Sequence, residues 1–296
     1  MPSPEGPSPE TVWRGYDQAG LDRQYNLRAR HPEHPEFFAA YAGDSADVRA
    51  RLARVEGSYG AHPRQRVIFY PAEPAGAPML AFIHGGYWQA LSPEDFEFLA
   101  PAFVARGITF AAIGYELCPT VSFATLVEQV RSAVLWLYDH AGEYGADPER
   151  LFLSGHSAGA HLTALMASTD WPALGHPAGV IKGAAAISGL YDLEPVRLSF
   201  LNGLLGLDAA TAGRLSPLSV IPPTPAPPLV LSVGGDEPEE FHRQQHAFAE
   251  AWQAAGHALR VVEMPGYHHF DVVQAFGRGE SPLCAAVCDL ILAYGR

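Results

Sequence analysis

The sequence predicts an α/β fold in which a mostly parallel central sheet carries helices on both faces. Three observations predict it. From Arg66 onward, short apolar runs rich in β-forming residues alternate with stretches of helical spacing, as strands joined by crossover helices do. These runs are nearly continuous rather than alternately polar and apolar, which suits strands buried on both faces. At 296 residues and 48% hydrophobic composition, the chain can bury a substantial single core.

Taken in order, residues 1–12 are rich in Pro, Ser and Glu and read as a disordered tail, without the apolar run of a secretion signal. Residues 13–60 mix charge with scattered aromatics and read as a small N-terminal helical cap, the opening part of a single domain over 13–296. Strands are expected at Val67 to Tyr70, Met79 to Ile83, Ile108 to Ile113, Leu151 to Ser154, Gly183 to Ile187, Leu229 to Val233 and Leu259 to Glu263. Between the third and fourth, Phe123, Leu126, Val130, Val134 and Leu137 recur at helical spacing, giving a crossover helix with one apolar face. The prolines of Ser216 to Pro228 cannot donate ladder hydrogen bonds, so that stretch is a loop. It closes an excursion from about Tyr191 that is placed to roof a site. No internal repeat or second domain boundary is visible.

Bulk properties narrow the function. Nineteen Lys plus Arg against 32 Asp plus Glu leave a formal net charge of −13, which argues against nucleic acid or an anionic membrane as partner and weighs against a highly anionic substrate. A small-molecule substrate is expected, with a homodimer left open as an assembly. Cys118, Cys284 and Cys288 are too few and too scattered for a disulfide framework, so a reducing, cytoplasmic setting is expected. No apolar run approaches the roughly 18 residues of a membrane span.

The strongest chemical signal is Gly155, His156, Ser157, Ala158 and Gly159, directly after an expected strand and before the helix-forming run Ala160 to Ala167. A serine on such a strand-turn-helix elbow presents its hydroxyl at the carboxyl edge of the sheet, between neighbours that must be small. That makes Ser157 the expected nucleophile and the architecture an α/β-hydrolase fold. A serine hydroxyl needs a base, and the base needs an orienting acid, in the order Ser, acid, His, each on a loop after a strand. His268 and His269 follow the strand ending at Glu263, with His269 preferred. Asp236 and Glu237 follow the strand ending at Val233, and spacing does not choose between them.

A tetrahedral intermediate also needs preorganised donors. His84, Gly85, Gly86, Tyr87 and Trp88 follow the strand at Met79 to Ile83, where paired glycines let backbone N–H groups approach a developing oxyanion, joined by the amide of Ala158. Trp88 and Tyr191 are candidate pocket-wall aromatics for substrate binding. His242 and His246, four apart on an expected helix, lack a third ligand and read as a solvated face, and His31 and His34 read as surface residues. No metal or other cofactor is expected.

The pairing of His84 to Trp88 with Gly155 to Gly159 resembles the kynurenine formamidase (arylformamidase) branch of the α/β-hydrolases, related to the hormone-sensitive-lipase-like esterases. Ser188 to Pro195, Ser216 with Pro217, and Glu240 to Gln244 extend the resemblance over roughly Ala81 to Val273. It implies Glu237 as the acid, with Asp236 as rival, because the family's acid position falls there when the chain is anchored on Glu240 to Gln244. It implies His269 as the base, since His269, Phe270 and Asp271 match the family's His-Phe-acidic pattern. It places the oxyanion donors on Gly86, Tyr87 and Ala158, with Gly85 permitting the turn. The segment Tyr25 to Ala29 looks like a bacterial subgroup whose members do not all cleave N-formylkynurenine. The implied activity is a serine hydrolase cleaving a small aryl formamide through an acyl-enzyme. A carboxylesterase for short acyl or aryl esters is the alternative, and a catalytically silent hydrolase-fold binding protein a third.

Overall fold

The computed structural model describes residues 10–223 and 226–294. In chain order its regular elements are α1 (Gln18–Tyr25), α2 (Leu27–Arg30), α3 (His34–Arg51), β1 (Val55–Ser58), β2 (Arg66–Tyr70), β3 (Ala77–Ile83), α4 (Ala100–Val104), β4 (Thr109–Ile113), α5 (Phe123–His140), β5 (Ala146–His156), α6 (Ala158–Ala167), β6 (Gly183–Ile187), α7 (Glu194–Leu198), α8 (Asn202–Leu205), α9 (Ala209–Leu215), β7 (Leu229–Gly234), α10 (Glu239–Ala254), β8 (Leu259–Met264), α11 (Asp271–Phe276) and α12 (Pro282–Ala293). The eight strands form one sheet in the order β1-β2-β4-β3-β5-β6-β7-β8. β1 and β2 pair antiparallel at one end, and every pairing from β4 to β8 is parallel.

Both faces of the sheet are covered, so residues of a central strand alternate between two cores rather than between core and water. Along β3, Met79, Ala81 and Ile83 join the cluster that includes Val130 and Leu137 of α5, Leu162 of α6, and Leu21 and Tyr25 of α1. Leu80 and Phe82 join the opposite cluster with Phe103 of α4, Phe276 of α11 and Val287 of α12. All seven expected strands are present, and the crossover helix is α5. Cys118, Cys284 and Cys288 are free and buried. No described helix is long and apolar enough to cross a membrane.

Two expectations about the N-terminus change. Of the tail 1–12, residues 1–9 lie outside the described residues, while the Val12 N–H donates to the Tyr16 carbonyl at 2.8 Å in a formed turn. Residues 13–60 are not helical throughout, because 55–58 form β1. That strand has no apolar alternation and is placed by edge pairing, Val55 opposite Phe69 and Ser58 opposite Arg66, with Gly57 buried against Trp136 and Tyr144. α3 is tied to the sheet below it by Glu97, a buried carboxylate that accepts from Arg49 of α3 at 3.0 Å, from Arg54 at 2.5 Å and from the Tyr70 hydroxyl at 2.9 Å.

Candidate active site

Ser157 sits between β5 and α6 at φ 58° and ψ −120°, a conformation L-residues rarely adopt and one that persists only where its surroundings over-determine it. Its N–H donates to the Ile187 carbonyl of β6 at 2.8 Å, and its carbonyl accepts the N–H groups of Ala160 and His161 at 3.0 and 3.1 Å. Gly159 lets α6 lie flush on the end of β3, where a Cβ would collide with the Ile83 carbonyl.

The loop after β3 runs through three consecutive positive φ values, 105° at Gly86, 50° at Tyr87 and 58° at Trp88. Gly85 backs onto the elbow so closely that a Cβ there would stand 3.1 Å from that of Ser157. Among the described residues, the amides of Gly86 and Tyr87 donate to no protein acceptor. The amide of Ala158, first residue of α6, has no acceptor within its helix either.

His269, on the loop after β8, directs Nδ1 at Oε2 of Glu237, 2.7 Å away. An acceptor at Nδ1 selects the Nδ1–H tautomer, which leaves Nε2 of the neutral ring with a free lone pair. The other oxygen of Glu237 accepts the Gly234 N–H at 2.9 Å and the Ser188 hydroxyl. Burial pushes the Glu237 carboxyl up, but the His269 imidazole and the hydrogen bonds from His269, Ser188 and Gly234 outweigh it and hold the group below its ordinary value. Asp236 is exposed: its N–H donates to the Tyr267 carbonyl at 2.9 Å and its carbonyl accepts Arg30 at 3.3 Å. His268 turns the other way, its Nδ1 accepting the Phe270 N–H at 3.1 Å and its ring tilted against that of His31 with centres 4.3 Å apart.

The structure therefore brings Ser157, His269, Gly86 and Tyr87 to the walls of one cavity of about 310 Å³. The rest of the lining comes from the N-terminal segment, with Tyr25 to Arg28, Phe38 and Tyr41, and from the excursion after β6, with Phe200, Leu201 and Leu204. Trp88 and Tyr191 do not line it, which corrects the expectation that they form its aromatic wall. Positive φ at Trp88 turns its indole into the core, edge-on to Phe123 at 5.0 Å and His161 at 5.2 Å, and Tyr191 lies stacked on Phe248 at 4.5 Å. His31 is not a plain surface residue, being packed on His268. With Glu33 these two form a group whose potential ligand atoms fall within 4.8 Å of one another, but Nδ1 of His268 is already engaged. His246 points outward on α10 and meets Glu250 at 3.1 Å.

Three supporting groups escaped the sequence reading. Ser188, the first residue past β6 at φ 54°, holds the carboxylate of Glu237. Its place at the same sheet edge as Ser157 was the available signal. His156 donates Nε2–H to the His269 carbonyl at 2.9 Å, a tautomer that the carbonyl acceptor imposes. Burial, then the neighbouring His269, holds the His156 pKa well below the ordinary histidine value, so the ring stays neutral. Tyr41 of α3 donates its hydroxyl to the Phe270 carbonyl one residue on.

A family model described as BD-FAE matches residues 67–174. The chain is 32% identical to the kynurenine formamidase of Salmo salar over 208 residues, 69% of each chain. It is 30% identical to Esterase LipQ of Mycobacterium tuberculosis over 244 residues, covering 74% of this chain and 56% of that protein. The hyperthermophilic esterase of the archaeon Pyrobaculum calidifontis superposes with a TM-score of 0.72 at 17% identity, over 88% of this chain and 92% of that one, a likeness of fold alone.

Proposed function

The chain belongs to the kynurenine formamidase family of the α/β-hydrolases, and from that premise we propose that it is a serine hydrolase cleaving a small aryl formamide of the N-formyl-L-kynurenine type through an acyl-enzyme. The observation that carries this reading is the 2.7 Å contact of His269 Nδ1 with buried Glu237, which leaves Nε2 as a base in the same cavity as the Ser157 hydroxyl. Ser157 Oγ attacks the formyl carbon while His269 Nε2 takes the hydroxyl proton. Glu237 stays ionised and stabilises the imidazolium that forms, which its lowered pKa supports. Negative charge gathers on the former carbonyl oxygen and is met by the unpartnered amides of Gly86, Tyr87 and Ala158, each donor typically worth about 3 kcal/mol in the transition state.

His269 then delivers its proton to the departing aryl amine. Water, deprotonated by the same ring, releases formate and restores Ser157. The cavity volume of about 310 Å³ stands at the lower end of small-molecule sites and suits one arene with a short substituent. The test is hydrolysis of N-formyl-L-kynurenine and of 4-nitrophenyl acetate by the purified chain. Turnover of the formamide that vanishes in Ser157→Ala is the expected result. Turnover of the ester with none of the formamide overturns the reading in favour of a carboxylesterase.

A further inference from the structure

Acyl transfer uses the inner end of the cavity, and the outer end is built differently. Arg28 of α2 lines the mouth, and among the described residues it is the only lining side chain with a permanent charge, since no Asp, Glu or Lys joins it. Some arginines of this acidic chain sit on carboxylates, Arg49 and Arg54 on Glu97, Arg197 on Glu194 and Arg243 on Glu240, and others are free of them, but among the described arginines only Arg28 lines the cavity. The guanidinium of Arg28 makes no ion pair or hydrogen bond with a described residue, and its carbon stands 5.8 Å from the centre of the Phe38 ring, another wall of the cavity. Beside it the side-chain oxygen of Asn26 is taken by the Ala29 N–H, which leaves the amide nitrogen of Asn26 as a further donor. Across the mouth, Phe200 and Leu204 are 48% and 50% exposed, an apolar lip of the kind that marks a ligand groove.

An unneutralised guanidinium at the rim of an aromatic cavity is a receptor for a planar anion, because its fork matches a carboxylate bidentately. We infer that Arg28 determines specificity by anchoring a carboxylate, so that the site takes an arene bearing one carboxylate, with the scissile bond at Ser157. The inference rests on the proposed function for what lies at the Ser157 end. The net charge of −13 opposes it only weakly, because charges beyond a Debye length of about 10 Å are largely screened, while a pair in contact at the exposed rim keeps much of its attraction until salt is raised.

Isothermal titration calorimetry of the full chain with 4-oxo-4-phenylbutanoate and with the corresponding primary amide tests this without turnover. The acid should bind about tenfold or more tightly than the amide, and its advantage should shrink as salt rises to about 0.5 M. Arg28→Gln should bring the two affinities together, while Arg28→Lys should keep part of the difference, having the charge without the fork. Equal binding of acid and amide by the unaltered chain, no measurable binding of the acid, or an acid preference that survives Arg28→Gln overturns the inference. Should Arg28→Gln not fold, Arg28→Lys and the salt series decide it. Failure to cleave N-formyl-L-kynurenine would overturn the proposed function and leave this difference intact, so the two failures are distinguishable.

Discussion

The parallel half of the sheet and the N-terminal segment both reach the cavity, but they hold their residues by opposite means. On the parallel half, Ser157, Ser188, Glu237 and His269 each follow a strand directly or by a short loop; ladders on both sides fix the ends of β5, β6 and β7, and the ladder to β7 fixes that of the edge strand β8. The N-terminal segment contributes Tyr25, Arg28, Phe38 and Tyr41 from α1, α2 and α3, which share no ladder with those strands. It docks through side chains: Leu21, Tyr25 and Leu27 pack in one core cluster and Tyr41 and Val48 in the other, Arg49 meets Glu97, and single hydrogen bonds run from the Tyr87 hydroxyl to the Tyr25 carbonyl at 2.8 Å, from Gln244 to the Tyr25 hydroxyl at 2.9 Å, from Arg30 to the Asp236 carbonyl at 3.3 Å, and from Tyr41 to Phe270. On the proposed function, chemistry rests on backbone fixed by the sheet, and recognition rests on side chains that can be exchanged one at a time. Substitutions on the sheet edge should cost turnover, and substitutions in the segment should cost selectivity or modest rate.

The largest effect expected on the sheet side is from Ser157→Ala, which should lower kcat by about 10⁶-fold while the thermal midpoint stays within a few degrees. Retention of more than a trace of turnover would remove Ser157 from the mechanism. Next comes the pair Glu237→Gln and Asp236→Asn. With its carboxylate on Nδ1 of His269, Glu237→Gln should cost about 10⁴-fold in kcat by permitting the wrong tautomer. Exposed Asp236→Asn should change kcat less than about twofold. Equal losses would place the orienting role on the loop rather than on one carboxylate.

The parallel half should also make the fold acid-sensitive. Burial lowers the pKa of His84 to about 3 and that of His161 to about 4, and His156 is held well below its ordinary value by burial and then by His269. In the unfolded chain each takes a proton near pH 6.5. Between those values the unfolded state binds more protons, so stability is full above about pH 6.5 and declines as pH falls towards the folded-state values, by on the order of 1 to 3 kcal/mol per histidine. Urea midpoints measured from pH 8 down to 4.5 should fall, and His161→Gln should flatten part of the slope. A flat profile would mean that these rings find a proton-accepting route in the folded state.

The same contrast explains what the sequence made legible. Strands buried on both faces announce themselves by continuous apolar runs, so seven of the eight were readable, and with them the edge where Ser157, Glu237 and His269 had to emerge. β1 was not, because Val55, Glu56, Gly57 and Ser58 carry no pattern of their own and become a strand only through β2. Choosing Glu237 over Asp236 needed the family resemblance, since adjacent carboxylates differ only in which way the turn after β7 points them. Trp88 and Tyr191 were misjudged because nearness to a motif says nothing of side-chain direction, which positive φ decided for Trp88. The cavity's outer wall was legible only as segments, a cap over 13–60 and a roofing excursion from about Tyr191; that Arg28 and Phe200 in particular face the cavity was not, because it is decided where two distant segments fold over the same edge.

The smallest loss expected from a group that supports the site, and the sharpest probe of the contrast, comes from Tyr41→Phe. The ring stays packed on Phe96 and Phe98, at 5.7 and 5.3 Å between centres, so only the donor to the buried Phe270 carbonyl is lost. An acceptor left without a partner costs about 1 to 3 kcal/mol of stability. Because Phe270 adjoins His269, whose own carbonyl remains held by His156, the loop should loosen without swinging away. The expected outcome is a fall in kcat of about threefold to tenfold with KM nearly unchanged, since an interaction that only aligns the base acts in the transition state. If instead KM rises and kcat holds, the N-terminal segment is a wall and nothing more, and the base loop owes its position to the sheet and His156 alone.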